Sequence, residues 1–587
     1  MEFKRLFDAM YCQLERYPND TALAERVGNE WVRYSTADCI NNINNISKAL
    51  FAMGIREGDM IGIISPNRPI WNFLDMGATQ LGAVVVPIYV NISIEEYKFI
   101  FQDSGIKIAF VGDKNLYHKI NSLAPELPDL QHLYCLNEYE GIPFWKDIIP
   151  LGLPIPDEEI EMMKAKVSED QLATIIYTSG TTGIPKGVML SHKNIVHNAV
   201  FSGEIIPLKP YQRTISFLPI CHVFERTVCY LCIYFGASIH YIEKMETLGD
   251  MLKDVKPHFF STVPRIMEKL YERIVSKGND LKGIQRSIFN WSLALAEQYG
   301  TPASKNVFYK FQLSLADRLV FTKWRAATGG ELFGIVSGAA ALQPRLARIF
   351  SAAGIPVKEG YGQSESSPVV AVNRFEHKGY KFGTVGPPIP GVELKIADDG
   401  EILVKGSNVM MGYYKRPDLT ADTIDQDGWL HTGDVGKFEE GFLKITDRKK
   451  ELFKTSGGKY VAPQVIENKF KESFYVEQIM VIGENKKTIS AMIVPAFGTL
   501  KKWCEEHGVP HDHKEEMLNH PLVIKLFAKI RDEFNKSFSD VEKVKKFILL
   551  PDEWTIDTGE MTPTLKLKRK FIMEKYATVV ADLYNES

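Results

Sequence analysis

Short runs of β-branched and aromatic residues recur along the first 340 residues, at 61–65, 83–89, 108–111, 174–177, 214–218, 238–242, 259–263 and 333–336. They are continuously apolar or nearly so, without an in–out alternation, which marks strands covered on both faces. Between several of them apolar residues return at three- and four-residue spacing, as at 250–255 and 265–276, and this predicts helices. Alternating strands and helices predict an α/β class in which largely parallel sheets are sandwiched by helices. The pattern changes at 383–412. That stretch is rich in Gly and Pro, and VELKIADDGEILVKG turns at Asp398-Asp399-Gly400, predicting antiparallel strands. A boundary is expected near Asp447-Arg448-Lys449-Lys450. Beyond it, a strand pair at 478–483 and 489–494 and a helix at 521–538 predict a smaller α+β region.

Length and composition narrow the picture. A chain of 587 residues exceeds one hydrophobic core, so two or more domains are expected. Hydrophobic and charged shares of 45% and 24% are those of a soluble globular protein. A net charge of −3 gives no electrostatic footing for nucleic acid. Seven scattered cysteines, an odd number, suit a reducing cytoplasm better than a disulfide framework. The opening MEFKRLFDAMYCQLERYP mixes acids with bases and has no apolar core, so it does not read as a signal peptide. The longest uncharged stretch, 227–242, is too short to span a bilayer and is interrupted by Gly236 and His240. It predicts a buried helix followed by a strand. Contact with a membrane surface stays open.

The chemistry concentrates in YTSGTTGIPKGVMLSH at 177–192. Thr178, Ser179, Gly180, Thr181, Thr182 and Gly183 combine hydroxyls with close-approaching backbone N–H groups, and Lys186 adds a cation. Such a loop can wrap a polyphosphate. It is not a Walker A loop, because the glycine-to-lysine spacing differs and Gly187 follows the lysine. Read without further context, it is a turn between a strand at 173–177 and a helix from about His192. The whole run resembles the phosphate loop of the acyl-adenylate-forming superfamily of acyl-CoA synthetases, peptide-synthetase adenylation domains and luciferases.

Further motifs follow in that superfamily's order. Gly360-Tyr361-Gly362-Gln363-Ser364-Glu365 resembles its Gly-Tyr-Gly-x-Thr-Glu motif, with serine keeping the hydroxyl. Tyr361 offers a face to a purine, and Glu365 offers a hard oxygen to Mg²⁺, with Thr178 as the second metal-side oxygen. Ser337-Gly338-Ala339-Ala340 resembles the segment beside adenine and the acyl carbonyl. Gly433-Asp434 closes a Trp-x-x-Thr-Gly-Asp pattern that implies ribose binding, and Arg448 is the second ribose contact. DRKKELFKTSGGKYVAP at 447–463 resembles the hinge motif, which implies rotation at Lys450 and a thiol tunnel lined by Gly457-Gly458. Met561-Thr-Pro-Thr-Leu-Lys566 resembles the terminal motif carrying the adenylation lysine, with Lys568 as the fallback. The form of the last two motifs, and of Pro219-Ile-Cys-His222-Val-Phe-Glu225-Arg226, matches the long-chain fatty acyl-CoA branch. There His222 would sit at the acyl or thiol entrance; as a lone histidine it is equally a structural residue. Cys229-x2-Cys232 lies in an apolar helical run with no second Cys or His pair at zinc-like spacing, so Cys221, Cys229 and Cys232 read as buried thiols.

The resemblance covers nearly the whole chain. It implies a large body at 1–447 with sandwiched parallel sheets and a distorted β-barrel-like subdomain, and a mobile α+β domain at 448–587. It implies a long-chain fatty acid:CoA ligase using ATP, Mg²⁺ and coenzyme A, in which Lys566, Glu365, Lys186, Thr178 and His222 serve the chemistry. It further implies a cytoplasmic protein, with peripheral contact on the inner face of a membrane and a homodimer as family-level expectations. The alternatives are a fatty acyl-AMP ligase loading a carrier protein, a medium-chain or aryl acid:CoA ligase, and a non-catalytic nucleotide- or acyl-binding protein.

Overall fold

The computed structural model describes residues 2–179, 185–556, 558–562 and 566–585. It divides into two compact units, one of residues 1–395 and 403–431, the other of 396–402 and 432–587. The first unit holds two large sheets. A seven-stranded sheet has a parallel centre of Leu172–Ser179, Val84–Pro87, Met60–Ile64, Ile106–Val111 and His132–Cys135. Pro185–Ser191 and then Gly412–Tyr413 add antiparallel strands at one edge. An eight-stranded sheet is parallel through Val357–Gly362, Gly334–Ser337, Phe259–Thr262, Arg213–Ser216, Ser238–Tyr241 and Leu23–Val27. It is closed by antiparallel Val369–Val372 at one end and Glu30–Tyr34 at the other.

Helix Pro69–Thr79 is buried along its whole length and touches strands of both sheets. Its sequence, PIWNFLDMGAT, is mostly apolar on every face, as suits a helix between two layers, with Asn72, Asp75 and Thr79 as its buried polar residues. Val223–Tyr234 follows the same logic and is followed by the strand Ser238–Tyr241, so 227–242 is a buried helix and strand as expected. Among the described residues no helix is long and apolar enough to cross a membrane.

Strands Val392–Ile396, Glu401–Gly406, Leu430–Glu439 and Phe442–Arg448 form the small half-barrel-like sheet, with the expected turn at 398–400. The second unit has its own core. Val476–Ile482 and Ile489–Pro495 pair antiparallel as expected, and Val544–Leu549 adds a parallel third strand. Ile466, Phe470, Leu500, Val523 and Phe527 pack from the helices onto this sheet. The helix expected at 521–538 runs over Pro521–Phe534 and ends in a 3₁₀ turn.

Candidate functional site

The phosphate-loop motif corrects one local expectation. A further strand, Pro185–Ser191, pairs antiparallel with Leu172–Ser179 and intervenes before the helix His192–Gly203, so the first strand does not lead directly into that helix. The physical reason lies in KGVMLS: Val188 and Leu190 alternate inward, and Gly187 leaves room where a Cβ would come within 2.7 Å of Ile175. Ser191 then caps the helix, exchanging side-chain and backbone hydrogen bonds with Asn194. Thr178 and Lys186 are register partners on the two strands, and Ser179 ends the first. Gly180, Thr181, Thr182 and Gly183 lie outside the described residues.

Three elements then meet. Gly412–Tyr413 pairs with the second hairpin strand and sets the Tyr413 ring 5.1 Å from the Lys186 ammonium. The Tyr413 hydroxyl donates to Glu365 Oε1 at 2.8 Å. Burial, and then the Glu365 charge, push the Tyr413 phenol well above its usual range, so it stays a donor. Glu365 is presented by a 3₁₀ turn, Ser364–Ser366, and its carbonyl accepts from Met410 N. Tyr413 carried no sequence signal, because its partners come from motifs more than 40 residues away. Glu365 and Thr178 supply hard oxygens of the kind Mg²⁺ takes alongside phosphate and water, so the donor set fits that ion.

Gly360, Tyr361 and Gly362 end the strand Val357–Gly362. At Gly362 a Cβ would lie 1.8 Å from the Pro368 carbonyl oxygen, so glycine is obligatory. Gln363 N donates to that same oxygen and to Ser366 Oγ, and Ser364 is buried behind it. Gly338, Ala339 and Ala340 follow the neighbouring strand. Gly338 N donates to Thr262 O, and Ala339 takes a left-handed φ of 68°. Glu359 bridges the two segments by accepting from Leu342 N at 2.9 Å, and burial pushes its carboxyl up to about 8. Ser337 and Thr262 are register partners whose buried hydroxyls find no partner among the described residues. The place is the carboxyl end of parallel strands, where open α/β sheets take ligands.

His222 is the N-cap of Val223–Tyr234, its Nδ1 accepting from Phe224 N at 3.1 Å. The motif's next two polar residues are buried. Glu225 accepts from Ser261 Oγ at 2.6 Å, and burial pushes its carboxyl up to about 7, opposed by the hydroxyls of Ser216 and Ser261. Arg226 forms a forked pair with Asp75 at 2.5 and 3.0 Å and donates to Thr174 Oγ1 at 2.7 Å.

The Glu225 environment predicts a pH dependence. Its folded pKa lies above the ordinary glutamate value, so its favourable contribution is complete below about pH 4 and is lost as pH rises towards about 7. Wild type is expected to lose urea resistance between about pH 5 and pH 8, and Glu225→Gln to lose less. Parallel slopes for the two proteins would contradict the assignment.

The second unit carries the other motifs. Asp434 and Arg448 are cross-strand partners, and Asp434 Oδ1 lies 3.0 Å from Arg448 Nε. Lys449 is held by Asp399 and Glu401 at 2.6 and 2.7 Å, while Lys450 is exposed in a turn closed by Glu451 N and Leu452 N onto Arg448 O. Gly458 sits at the tip of the following hairpin with φ 73°. Asp447 is buried with one oxygen lacking a partner among the described residues, and burial pushes its carboxyl up to about 7. Arg569 ties Glu451, just past the turn, to Glu467 on the helix Pro463–Phe470. Lys566 lies in a loop whose ends are pinned: Thr562 N donates to Lys566 O, Lys566 N to Thr562 Oγ1, and Met561 bridges Leu567. Cys221, Cys229 and Cys232 are buried free thiols.

Comparison with known proteins places this geometry. The model for the AMP-binding enzyme family matches residues 11–414, and that for the AMP-binding enzyme C-terminal domain matches 451–587. A curated relative named long-chain-fatty-acid–CoA ligase FadD15, from Mycobacterium bovis, is 33% identical and covers 98% of this chain and 97% of its own. The Homo sapiens long-chain-fatty-acid–CoA ligase 1 is 31% identical, covering 95% and 82%. Among solved structures, the anthranilate CoA ligase AuaEII with anthranoyl-AMP aligns at TM-score 0.74 and 20% identity over 99% of both chains. A Mycobacterium tuberculosis fatty acyl CoA synthetase aligns at TM-score 0.62 and 20% identity, over 98% and 99%. These structural likenesses speak to the fold.

Proposed function

The chain belongs to the AMP-binding enzyme family, and on that premise we propose that it activates a long-chain fatty acid with ATP and transfers the acyl group to coenzyme A. The full-length similarity to long-chain-fatty-acid–CoA ligases carries this reading. In the first half-reaction a carboxylate oxygen of the fatty acid attacks the α-phosphorus of ATP. The bond to the bridging oxygen breaks, and pyrophosphate leaves with its electron pair. In the second, the sulfur of coenzyme A, having lost its proton, attacks the acyl carbonyl, and AMP departs.

No side-chain nucleophile is needed, so the protein's part is positioning and charge stabilisation. The hairpin carrying Thr178 and Lys186 would hold the β- and γ-phosphates. The Tyr413 hydroxyl fixes the Glu365 carboxylate beside that cation. Mg²⁺, when bound there, would offset the charge of the leaving pyrophosphate. Gly338, Ala339, Ala340 and Gly360 to Ser364 would frame adenine. Asp434 and Arg448 would take the ribose hydroxyls, and Lys566 the charge at the α-phosphate. His222 caps its helix, and any contact with acyl chain or thiol would be additional. We further propose a body of 1–447 and a mobile part of 448–587, turning at Lys450 to withdraw Lys566 and bring Gly458 to the thiol path. Support comes from the exposed turn at Lys450 and from the match of the C-terminal domain model from residue 451. A cytoplasmic location with peripheral membrane contact, and a homodimer, complete the reading.

The test is pyrophosphate and AMP release from ATP and Mg²⁺ across saturated fatty acids of eight to twenty carbons and an aryl acid, with and without coenzyme A. AMP release that depends on coenzyme A and peaks with long chains is expected. Adenylate formation indifferent to coenzyme A would favour a carrier-protein acceptor, and a peak on aryl or medium-chain acids would replace the substrate class.

A further inference from the structure

One helical stretch of the first unit departs from the rule that apolar side chains go inward. It runs through Val307–Ala316, Asp317–Phe321 and Thr322–Ala327 without a break. Its inner face, with Tyr309, Ala316, Phe321 and Trp324, is buried. Its outer face carries Val307, Phe308, Phe311, Leu315 and Leu319, with Val307 80%, Phe308 64% and Phe311 69% exposed. The adjoining helix Gly283–Glu297 adds Ile284 at 79% exposed. Scattered exposed apolar residues need no explanation, but a continuous stripe at helical spacing does.

The polar residues of that face narrow the occupant. Lys310, Arg318 and Lys323 stand exposed among the apolar side chains. The stretch's one carboxylate, Asp317, is held by Arg325 at 2.5 Å. Residues 277–325 contain eight Lys or Arg (277, 282, 286, 305, 310, 318, 323, 325) against three Asp or Glu (280, 297, 317), a balance of +5 in a chain of net −3. Aromatic and aliphatic side chains interleaved with cations along one helical face make up the composition of a helix lying in a bilayer interface. The rings enter the acyl boundary, while the lysine and arginine stems reach back to the headgroups. A second copy of this chain fits less well, because a two-fold contact would oppose like charges.

We propose that the outer face of 307–323 is a docking surface for a bilayer containing anionic phospholipid. This surface gives the peripheral membrane contact proposed above its place, and the face itself does not depend on the ligase reading.

The experiment is co-sedimentation of the full chain with phosphatidylcholine vesicles, with and without phosphatidylglycerol. Binding is expected only with the anionic lipid and should weaken with salt. At about fivefold per surface cation, Lys310→Gln with Arg318→Gln should reduce the partition coefficient roughly 25-fold. Phe308→Ser with Phe311→Ser should weaken it at any salt concentration. All four side chains are exposed, so AMP release with a soluble shorter-chain acid should match wild type and report intact folding. Wild type failing to bind anionic vesicles, or both variants binding like wild type, would overturn the proposal. So would loss in these variants of a dimer seen by sedimentation velocity without vesicle binding, which would assign the face to a second copy. Vesicle binding by a protein that releases no AMP with any acid would instead sink the ligase reading and leave this one standing.

Discussion

Lys566→Ala is expected to slow acyl-adenylate formation by about 10²–10³-fold, the usual cost of removing one preorganised charge-stabilising donor. Thioester formation from supplied acyl-adenylate should stay near the wild-type rate. The asymmetry follows from the two steps. The first brings a carboxylate against a polyanion and builds charge on the α-phosphate oxygens, where an ammonium lowers the barrier. The second attacks a neutral carbonyl carbon with AMP as the leaving group. Lys566 is suited to the first role because both ends of its loop are fixed, through Thr562 on one side and the Met561–Leu567 bridge with Lys568 N on Glu560 O on the other. Pyrophosphate release without coenzyme A reads the first half, and acyl-CoA from synthetic acyl-adenylate reads the second. Equal losses in both would remove Lys566 from the adenylation step. A loss with Lys568→Ala and none with Lys566→Ala would move the role two residues on.

Much of the fold is legible because its strands are buried on both faces. Runs such as 83–89 and 259–263 can hardly be anything but central strands, and they fall where expected, as Val84–Pro87 and Phe259–Thr262. Strands at or next to a sheet edge are harder to read. Leu23–Val27 and Glu30–Tyr34, LAERV and EWVRY, mix polar with apolar residues about Gly28 and yield no long apolar run. Val544–Leu549 hides behind Lys545 and Lys546. Pro185–Ser191 was obscured by its own glycine and proline, which look like loop residues until the close approach to Ile175 explains them. The site divides in the same way. Motif residues announce themselves through glycines and hydroxyls at fixed spacing. The residues that hold them do not: Tyr413 lies 48 positions from Glu365, and Asp75 lies 151 from Arg226. Only tertiary structure pairs them.

That last pair carries the second large effect. Arg226→Met should destabilise the first unit by about 3–5 kcal/mol, because it leaves the Asp75 carboxylate buried without its cation. The arrangement admits little relaxation. Both side chains are fully buried, Tyr230 OH donates to Asp75 Oδ2 at 2.6 Å, and the guanidinium carbon lies 5.4 Å from the Trp71 ring centroid. Burial alone does not make such a pair favourable: desolvating two ions costs nearly what their attraction returns. Asp75→Leu combined with Arg226→Met should therefore be distinctly more stable than Arg226→Met alone, a coupling that urea midpoints followed by circular dichroism would read directly. Additive losses would mean that each side chain acts through packing and not through the other's charge. The pair's position gives the coupling a functional edge. Arg226 also donates to Thr174, on the strand that ends at Thr178 and Ser179, while Asp75 lies on the helix between the two sheets. One guanidinium thus fixes the Glu225-Arg226 helix, the interlayer helix and the root of the phosphate hairpin against each other. The double variant, even where it recovers stability, should bind ATP more weakly than wild type, because two apolar side chains can fill that space but cannot donate to Thr174.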